Sequence, residues 1–171
     1  MIRDRPTQQT LSPFFKDCYK EIGVREYSRE VSVAPPTASK LLKEFENNGL
    51  LKSQEERRFL LFRANRESLS LKYLSIVFWG EILKSLFEHL EEQLHPDAIV
   101  LFGSLTNLEV SKKSDIDNAV LTKFKKQIDV KKFEKKFDKE IHLFVFESLE
   151  KVNKELRIGI INGQIIKGTL R

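Results

Sequence analysis

Cysteine is almost absent. The 171 residues hold one, Cys18, so no disulfide can close within the chain and no cysteine cluster can hold a metal. Long apolar runs are missing as well: the stretch Tyr73 to Leu86 is broken by Gly80, Glu81 and Lys84 and falls short of the roughly 20 apolar residues of a membrane span. The opening Met1-Ile2-Arg3-Asp4-Arg5-Pro6 lacks the apolar stretch of a secretory signal. These absences lead to the expectation of a soluble, cytoplasmic protein. A Walker-type phosphate loop and an internal repeat are lacking too, which leaves kinase, ATPase and solenoid readings without support. His89 and His95 have no metal-ligand spacing between them and are read as surface residues. Charge of one sign is not concentrated in a tail. The net charge of +5 suits a partner with phosphates without requiring one.

What is present is enough apolar material for a core, 40% hydrophobic against 32% charged residues, in a length that fits one large domain or two small ones. In the first half, Ala38, Leu41, Leu42 and Phe45 recur at i, i+3, i+4 and i+7 and draw one buried stripe along a helix. Pro35 and Pro36 suit its first turn and Asn48-Gly49 its end. The other face presents Thr37, Ser39, Lys40 and Lys43. Upstream, Val24 to Val31 reads as a short helix and Ser32-Val33-Ala34 as a three-residue turn. Downstream, Leu50 to Gln54 and Phe59 to Arg63 read as strands around a polar tip, Glu55-Glu56-Arg57-Arg58.

The stretch from Gly23 to about Asn65 resembles winged helix-turn-helix domains. The resemblance implies that the helix carrying Thr37, Ser39, Lys40 and Lys43 lies in the major groove of double-stranded DNA, with Arg57 and Arg58 of the wing touching phosphates or the minor groove. Ala34 stands where an N-capping Ser is common, at a cost of about 1 kcal/mol. The bland alternative is a platform for protein contacts. Leu69 to Glu92 then reads as a connecting helix, with Leu71, Leu74, Phe78, Ile82, Leu86 and Leu90 as packing residues.

In the second half, Asp97 to Phe102 is an apolar strand that runs straight into Gly103-Ser104. Glycine allows close approach of the backbone to a ligand, and a hydroxyl and N–H at a helix start can cradle phosphate oxygens. Ten residues later comes Ser114-Asp115-Ile116-Asp117, whose alternation sets both aspartates on one face of a strand. Two adjacent carboxylates repel each other unless a cation lies between them, and Mg²⁺ is the hard ion that takes carboxylate oxygens and substrate phosphates together. A later strand, Glu140-Ile141-His142-Leu143-Phe144-Val145-Phe146, lies beyond a helix with Val130, Phe133 and Phe137 inside and Lys131, Lys132, Lys135, Lys136 and Lys139 mostly outside. Leu149 to Ile161 is expected to form a closing helix capped by Ser148, followed by a short strand from Gln164 to Lys167.

The combination of apolar strand, Gly-Ser, nine residues and Ser-Asp-Ile-Asp resembles the nucleotidyltransferase motif of the DNA polymerase β superfamily, and more narrowly its short prokaryotic members. The resemblance implies that Gly103 and Ser104 hold the triphosphate of ATP or another nucleoside triphosphate, and that Asp115 and Asp117 bind Mg²⁺. A third carboxylate is usual in such enzymes, and its position falls here on His142. Three readings stay open: Glu140 substitutes for it, His142 acts as a base without a second metal, or catalysis is lost. Leu105 and Leu108 also depart from the arginine and glycine common after Gly-Ser.

The expected architecture is α+β: a winged helix over residues 1–66, a connecting helix over 67–95 and a mixed-sheet nucleotidyltransferase domain over 96–171. The expected activity is Mg²⁺-dependent transfer of AMP from ATP to a protein or small-molecule hydroxyl. The resemblance further implies an antitoxin-like component with a small helical toxin of the HEPN type as partner, and winged helices work frequently as homodimers. The alternative is a DNA-binding regulator with a degenerate nucleotidyltransferase fold.

Overall fold

Apolar spacing from Leu11 onward builds an element that the periodicity reading above passes over. The computed structural model describes residues 5–124 and 126–170. Residues 1–4 of the expected winged helix, and residues 125 and 171 of the expected transferase domain, lie outside the described residues. The chain opens with α1 (Arg5–Lys16), whose Leu11, Phe14 and Phe15 are fully buried and followed one turn later by buried Cys18. The elements β1 (Ile22–Gly23), α2 (Val24–Glu30), α3 (Pro35–Asn47), β2 (Leu51–Glu56) and β3 (Phe59–Ala64) follow. Next come α4 (Leu69–Leu94), β4 (Ala98–Phe102), α5 (Ser104–Asn107), β5 (Ile116–Leu121), α6 (Lys131–Phe137), β6 (Ile141–Phe146), α7 (Lys154–Ile161) and β7 (Gln164–Gly168). The fold class is mixed α+β with two sheets. Among the described residues no helix is long and apolar enough to cross a membrane.

Contacts divide the chain into two compact units, the first reaching Phe78 and including Leu108–Lys112, the second taking Trp79–Asn107 and the residues from Lys113 onward. In the first unit β3 lies between β1 and β2, all antiparallel. Tyr27 of α2 is buried, packs its ring 6.0 Å from that of Phe14 and donates its hydroxyl to the Thr10 carbonyl at 2.9 Å, which ties α2 to α1. The α2–α3 turn is held by Ser28, whose Oγ donates to the Val33 carbonyl at 2.6 Å, and by Ser32 in the left-handed region at φ 54°. Ala34 precedes α3 without a side-chain cap, as its methyl group dictates. Ala38, Leu42 and Phe45 are buried and Leu41 is half-buried, so the stripe read from spacing faces inward. The segment Leu108–Lys112 is tied to this unit by hydrogen bonds from Cys18 N to Val110 O at 2.8 Å and from Arg66 Nε to Leu108 O at 3.1 Å.

The hairpin tip is tighter than four residues. Glu56 pairs with Phe59, leaving only Arg57 and Arg58 in the turn, at φ 48° and 70°. Two successive left-handed residues give the twist that a two-residue hairpin needs, a conformation that Asn-Gly adopts at least cost.

In the second unit the sheet order is β6-β5-β4-β7. Strand β4 pairs antiparallel with β5 and β7, while β5 and β6 run parallel. All five residues of β4 are buried, as expected of a central strand covered on both faces. Val100, Phe102 and Ala119 form the core beneath Val152 and Ile160, with Phe144, Phe146, Leu149 and Leu156 against it. Helix α6 sets Phe133 5.2 Å from the ring of His89 on α4, and Lys136 donates to Ser85 Oγ at 2.7 Å. His89 is therefore half-buried rather than free on the surface. Ile82 is exposed at 39%, and Leu83, Leu86 and Phe87 are the buried residues of that stretch of α4.

The closing helix differs from expectation. Leu149–Lys151 is a separate 3-10 turn, and α7 starts only after Asn153, whose side chain accepts from Leu156 N at 2.9 Å. Ser148 caps nothing; Val152 turns into the core in an extended conformation and breaks the helix there.

Candidate functional site

Strand pairing brings the candidate residues together. Phe102 pairs with Asp117 across β4 and β5, and Asp117 pairs with His142 across β5 and β6. The glycine after β4 and the side chains of β5 and β6 therefore meet at one end of the sheet. Gly103 sits at φ +77°, and a Cβ there would come within 2.4 Å of Asp117 Oδ2. Glycine is required twice over, by its backbone conformation and by the carboxylate packed against it. Ser104 opens the four-residue helix α5, in which Thr106 and Asn107 turn their side chains back to the Gly103 carbonyl at 2.9 and 3.3 Å. Leu108 ends that turn at φ 54° and is fully buried. The chain keeps the left-handed turn a glycine would ease, at a cost of about 1–2 kcal/mol, which burial of the leucine offsets.

Asp115 stands just before β5, Glu140 just before β6, and Asp117 and His142 lie within those strands. His142 Nδ1 is 3.1 Å from Asp117 Oδ1, and its Nε2 is 3.5 Å from Glu140 Oε1. Ligand atoms of Asp115, Glu140 and His142 lie within 4.8 Å of one another. The imidazole pKa is raised above its ordinary 6.5, first by the hydrogen bond with Asp117 and then by the charges of Asp117, Asp115 and Glu140, against a partial opposing effect of desolvation. Glu140 is the most open member, its side chain 69% exposed, while that of Asp117 is 26% exposed.

The donor set within reach of one ion is two carboxylates and one imidazole, with Asp117 held on the imidazole's other nitrogen. It fits a divalent cation: the carboxylate oxygens suit hard ions and the imidazole suits borderline ones. Of the residues expected here, Gly103, Ser104, Asp115 and Asp117 came from sequence spacing and Glu140 and His142 from the family resemblance, and the strand pairing brings them to the same end of the sheet. That His142 touches Asp117 follows from parallel pairing, for which local sequence carries no signal.

The residues read for DNA contact lie on the first unit. Thr37, Lys40 and Lys43 on α3 are exposed and Ser39 is half-buried, while Arg57 and Arg58 at the hairpin tip are exposed.

A Gly-Ser turn leaving a buried strand, beside a strand that opens on two aspartates, defines a nucleotidyltransferase domain. The match to the family described as "Polymerase beta, Nucleotidyltransferase" extends over residues 84–169, half of the chain, and the protein belongs to that family. No curated protein sequence matches the chain. Solved structures with some similarity include a toxin-antitoxin with AMP-PNP, at 23% identity over 50% of this chain and 73% of that one, TM-score 0.41. MepR, a transcription regulator of the Staphylococcus aureus multidrug efflux pump MepA, is 19% identical over 53% of this chain and 64% of its own, TM-score 0.41. A mutant of the toxin-antitoxin MntA-HpeT is 21% identical over 50% of this chain and 72% of its own, TM-score 0.39.

Proposed function

We propose that the protein is a divalent-metal-dependent nucleotidyltransferase that moves AMP from ATP to a hydroxyl of a protein or small molecule, and that its first unit is a DNA-binding winged helix. The observation that carries the enzymatic reading is the convergence of Asp115, Asp117, Glu140 and His142 beside a glycine that only a bare backbone can fill. In this reading the N–H groups after Gly103 and the Ser104 hydroxyl hold triphosphate oxygens. Asp115 and Asp117 hold Mg²⁺, which when bound neutralises charge on the α-phosphate and on the departing pyrophosphate. His142 donates from Nδ1 to Asp117 and fixes that carboxylate's direction. In this reading the acceptor enters on the side of Glu140 and His142, whose side chains are 69% and 41% exposed. The acceptor oxygen forms a bond to the α-phosphorus, the bond to pyrophosphate breaks, and the hydroxyl proton passes to a group on that side.

The winged-helix reading is supported by the order α2, turn, α3, hairpin, and by exposed Thr37, Lys40, Lys43, Arg57 and Arg58. Association with a HEPN-type helical partner and a homodimeric state belong to the same proposal. The rival, a regulator that has lost turnover, is favoured by His142 in place of a third carboxylate and by Leu105 in place of an arginine.

One experiment separates them. The protein is incubated with ATP, Mg²⁺ and the product of the neighbouring gene, and masses are read against an Asp115→Asn/Asp117→Asn control. An AMP adduct dependent on both aspartates is expected. Absence of any adduct, with upstream DNA still bound, sinks the transferase and leaves the regulator. In the same preparation, Lys40→Ala and Lys43→Ala are each expected to flatten the dependence of log K on log salt by about 1.

A further inference from the structure

Of the lysines expected on the outer face of α6, Lys139 stands apart. Lys131, Lys132, Lys135 and Lys136 are exposed, whereas Lys139, just past the end of the helix, is half-buried. Its Nζ donates to the Ser114 carbonyl at 2.7 Å and lies 5.9 Å from the centre of the Trp79 ring, within the range of cation–π attraction. An ammonium is among the stronger donors a carbonyl can meet, and this bond restrains more than the oxygen. The peptide unit is planar, so the plane that contains the Ser114 carbonyl also contains the N–H and Cα of Asp115. One residue on, Ile116 N donates to the Glu140 carbonyl at 2.8 Å. Asp115 precedes β5, and the backbone on either side of it is fastened to the neighbouring residues Lys139 and Glu140.

We propose that Lys139 is a positioning residue of the site: it fastens the Ser114–Asp115 peptide and so sets the direction in which the Asp115 carboxylate points. The inference rests on the nucleotidyltransferase reading for the use made of Asp115, while the fastening itself stands on geometry. The anchor is held in its turn. Lys139 N donates to the Glu134 carbonyl at 3.3 Å, and Ile141 N donates to Glu134 Oε1 at 3.1 Å. A single residue of α6 thus fixes both ends of the segment that carries Lys139 and Glu140. On α4, Trp79 is 3% exposed, so the ring beside the ammonium is itself immobilised by packing. A cation binds no metal ion, and Lys139 lies outside the group of converging ligand atoms. Its influence on the reaction passes through Asp115. A misplacement of about 1 Å in a site costs on the order of a hundredfold in rate, which is the scale on which a loosened Asp115 matters.

The test compares the full native chain with Lys139→Met, which keeps an unbranched apolar stem and loses the charge and donors, and with Lys139→Arg, which keeps both. Amide hydrogen exchange is followed without ion or nucleotide. Ile116 is expected to exchange at least about tenfold faster in Lys139→Met, with Val100 and Leu101 of β4 unchanged and Lys139→Arg close to native. AMP transfer is then measured with ATP, Mg²⁺ and the product of the neighbouring gene. In Lys139→Met the loss is expected to fall on kcat, by about tenfold or more, and to leave KM for ATP within about threefold, because the triphosphate is held from Gly103 and Ser104. Native-like exchange at Ile116 in Lys139→Met overturns the proposal. So does faster exchange that extends through β4 and is not restored by arginine, since it marks a general loss of packing. A native protein that transfers no AMP, with Ile116 still loosened in Lys139→Met, removes the transferase reading and the use made of Asp115 while the fastening stands.

Discussion

Asn118 lies in β5 between Asp117 and Ala119, fully buried, and neither its Nδ2 nor its Oδ1 has a hydrogen-bond partner among the described residues. Strand alternation turns it to the sheet face opposite Asp117. A buried amide without partners carries a desolvation cost of about 1–3 kcal/mol, so Asn118→Leu, which keeps the branching and heavy-atom count with larger methyl groups, is expected to raise stability by about 1 kcal/mol. Chemical denaturation of the two proteins measures it, and an unchanged or lowered midpoint contradicts it. At Gly103 the same scale of reasoning runs the other way. No side chain fits against Asp117, and here the residue type announces the constraint in advance. Asp115 and Asp117 were legible for the same reason, since adjacent carboxylates are costly enough to require a cause. Asn118 was not, because an Asn inside an apolar strand says nothing about which partners the fold will bring to it.

The hairpin of β2 and β3 shows a local rule broken at the level of an element. Its two-residue turn puts Arg57 and Arg58 in left-handed backbone conformations, each costing about 1 kcal/mol relative to glycine. Arg57→Asn/Arg58→Gly is expected to stabilise the first unit by about 1 kcal/mol or slightly more. If the arginines serve the proposed DNA contact, the same variant binds DNA more weakly and with a shallower salt dependence. Thermal unfolding and a DNA titration read the two effects separately, and a variant that gains neither stability nor loses affinity removes the case for a strained wing. Helix α3 was readable in full because its stripe repeats over about two turns. The hairpin's length was not, because a turn's residue count depends on register. The break between Lys151 and Lys154 escaped notice for a related reason: Val152 leaves the helix to fill the core under β4, a preference visible only once that core exists.

For the whole molecule, two buried groups in the first unit weigh on stability at alkaline pH. Burial pushes the Cys18 thiol from 9.0 to about 11 and the Tyr27 phenol from 10.0 to about 12. Both folded values lie above the unfolded ones, so the stability each group contributes is complete below about pH 9 and is lost as pH rises through about 11 and 12. In that window the unfolded chain releases protons that the folded chain retains. The loss is on the order of 1–2 kcal/mol per group. Denaturation midpoints measured from pH 8 upward are expected to fall steeply above about pH 9, and Cys18→Ala/Tyr27→Phe to flatten that fall. A parallel fall in the double variant places the cause elsewhere. Cys18 is also expected to resist thiol reagents until the first unit unfolds.

Sequence alone determined the apolar strand into Gly103-Ser104, the aspartate pair, the stripe of α3 and the order of most elements, because each is written in periodicity or in residues costly to keep without a function. It could not determine which strands become neighbours. Helix α1 packs on Tyr27, His142 reaches Asp117, and Leu108–Lys112 joins the first unit. These depend on contacts between residues far apart in the chain, and the free energy of each exists only after the sheets and cores that hold it have formed.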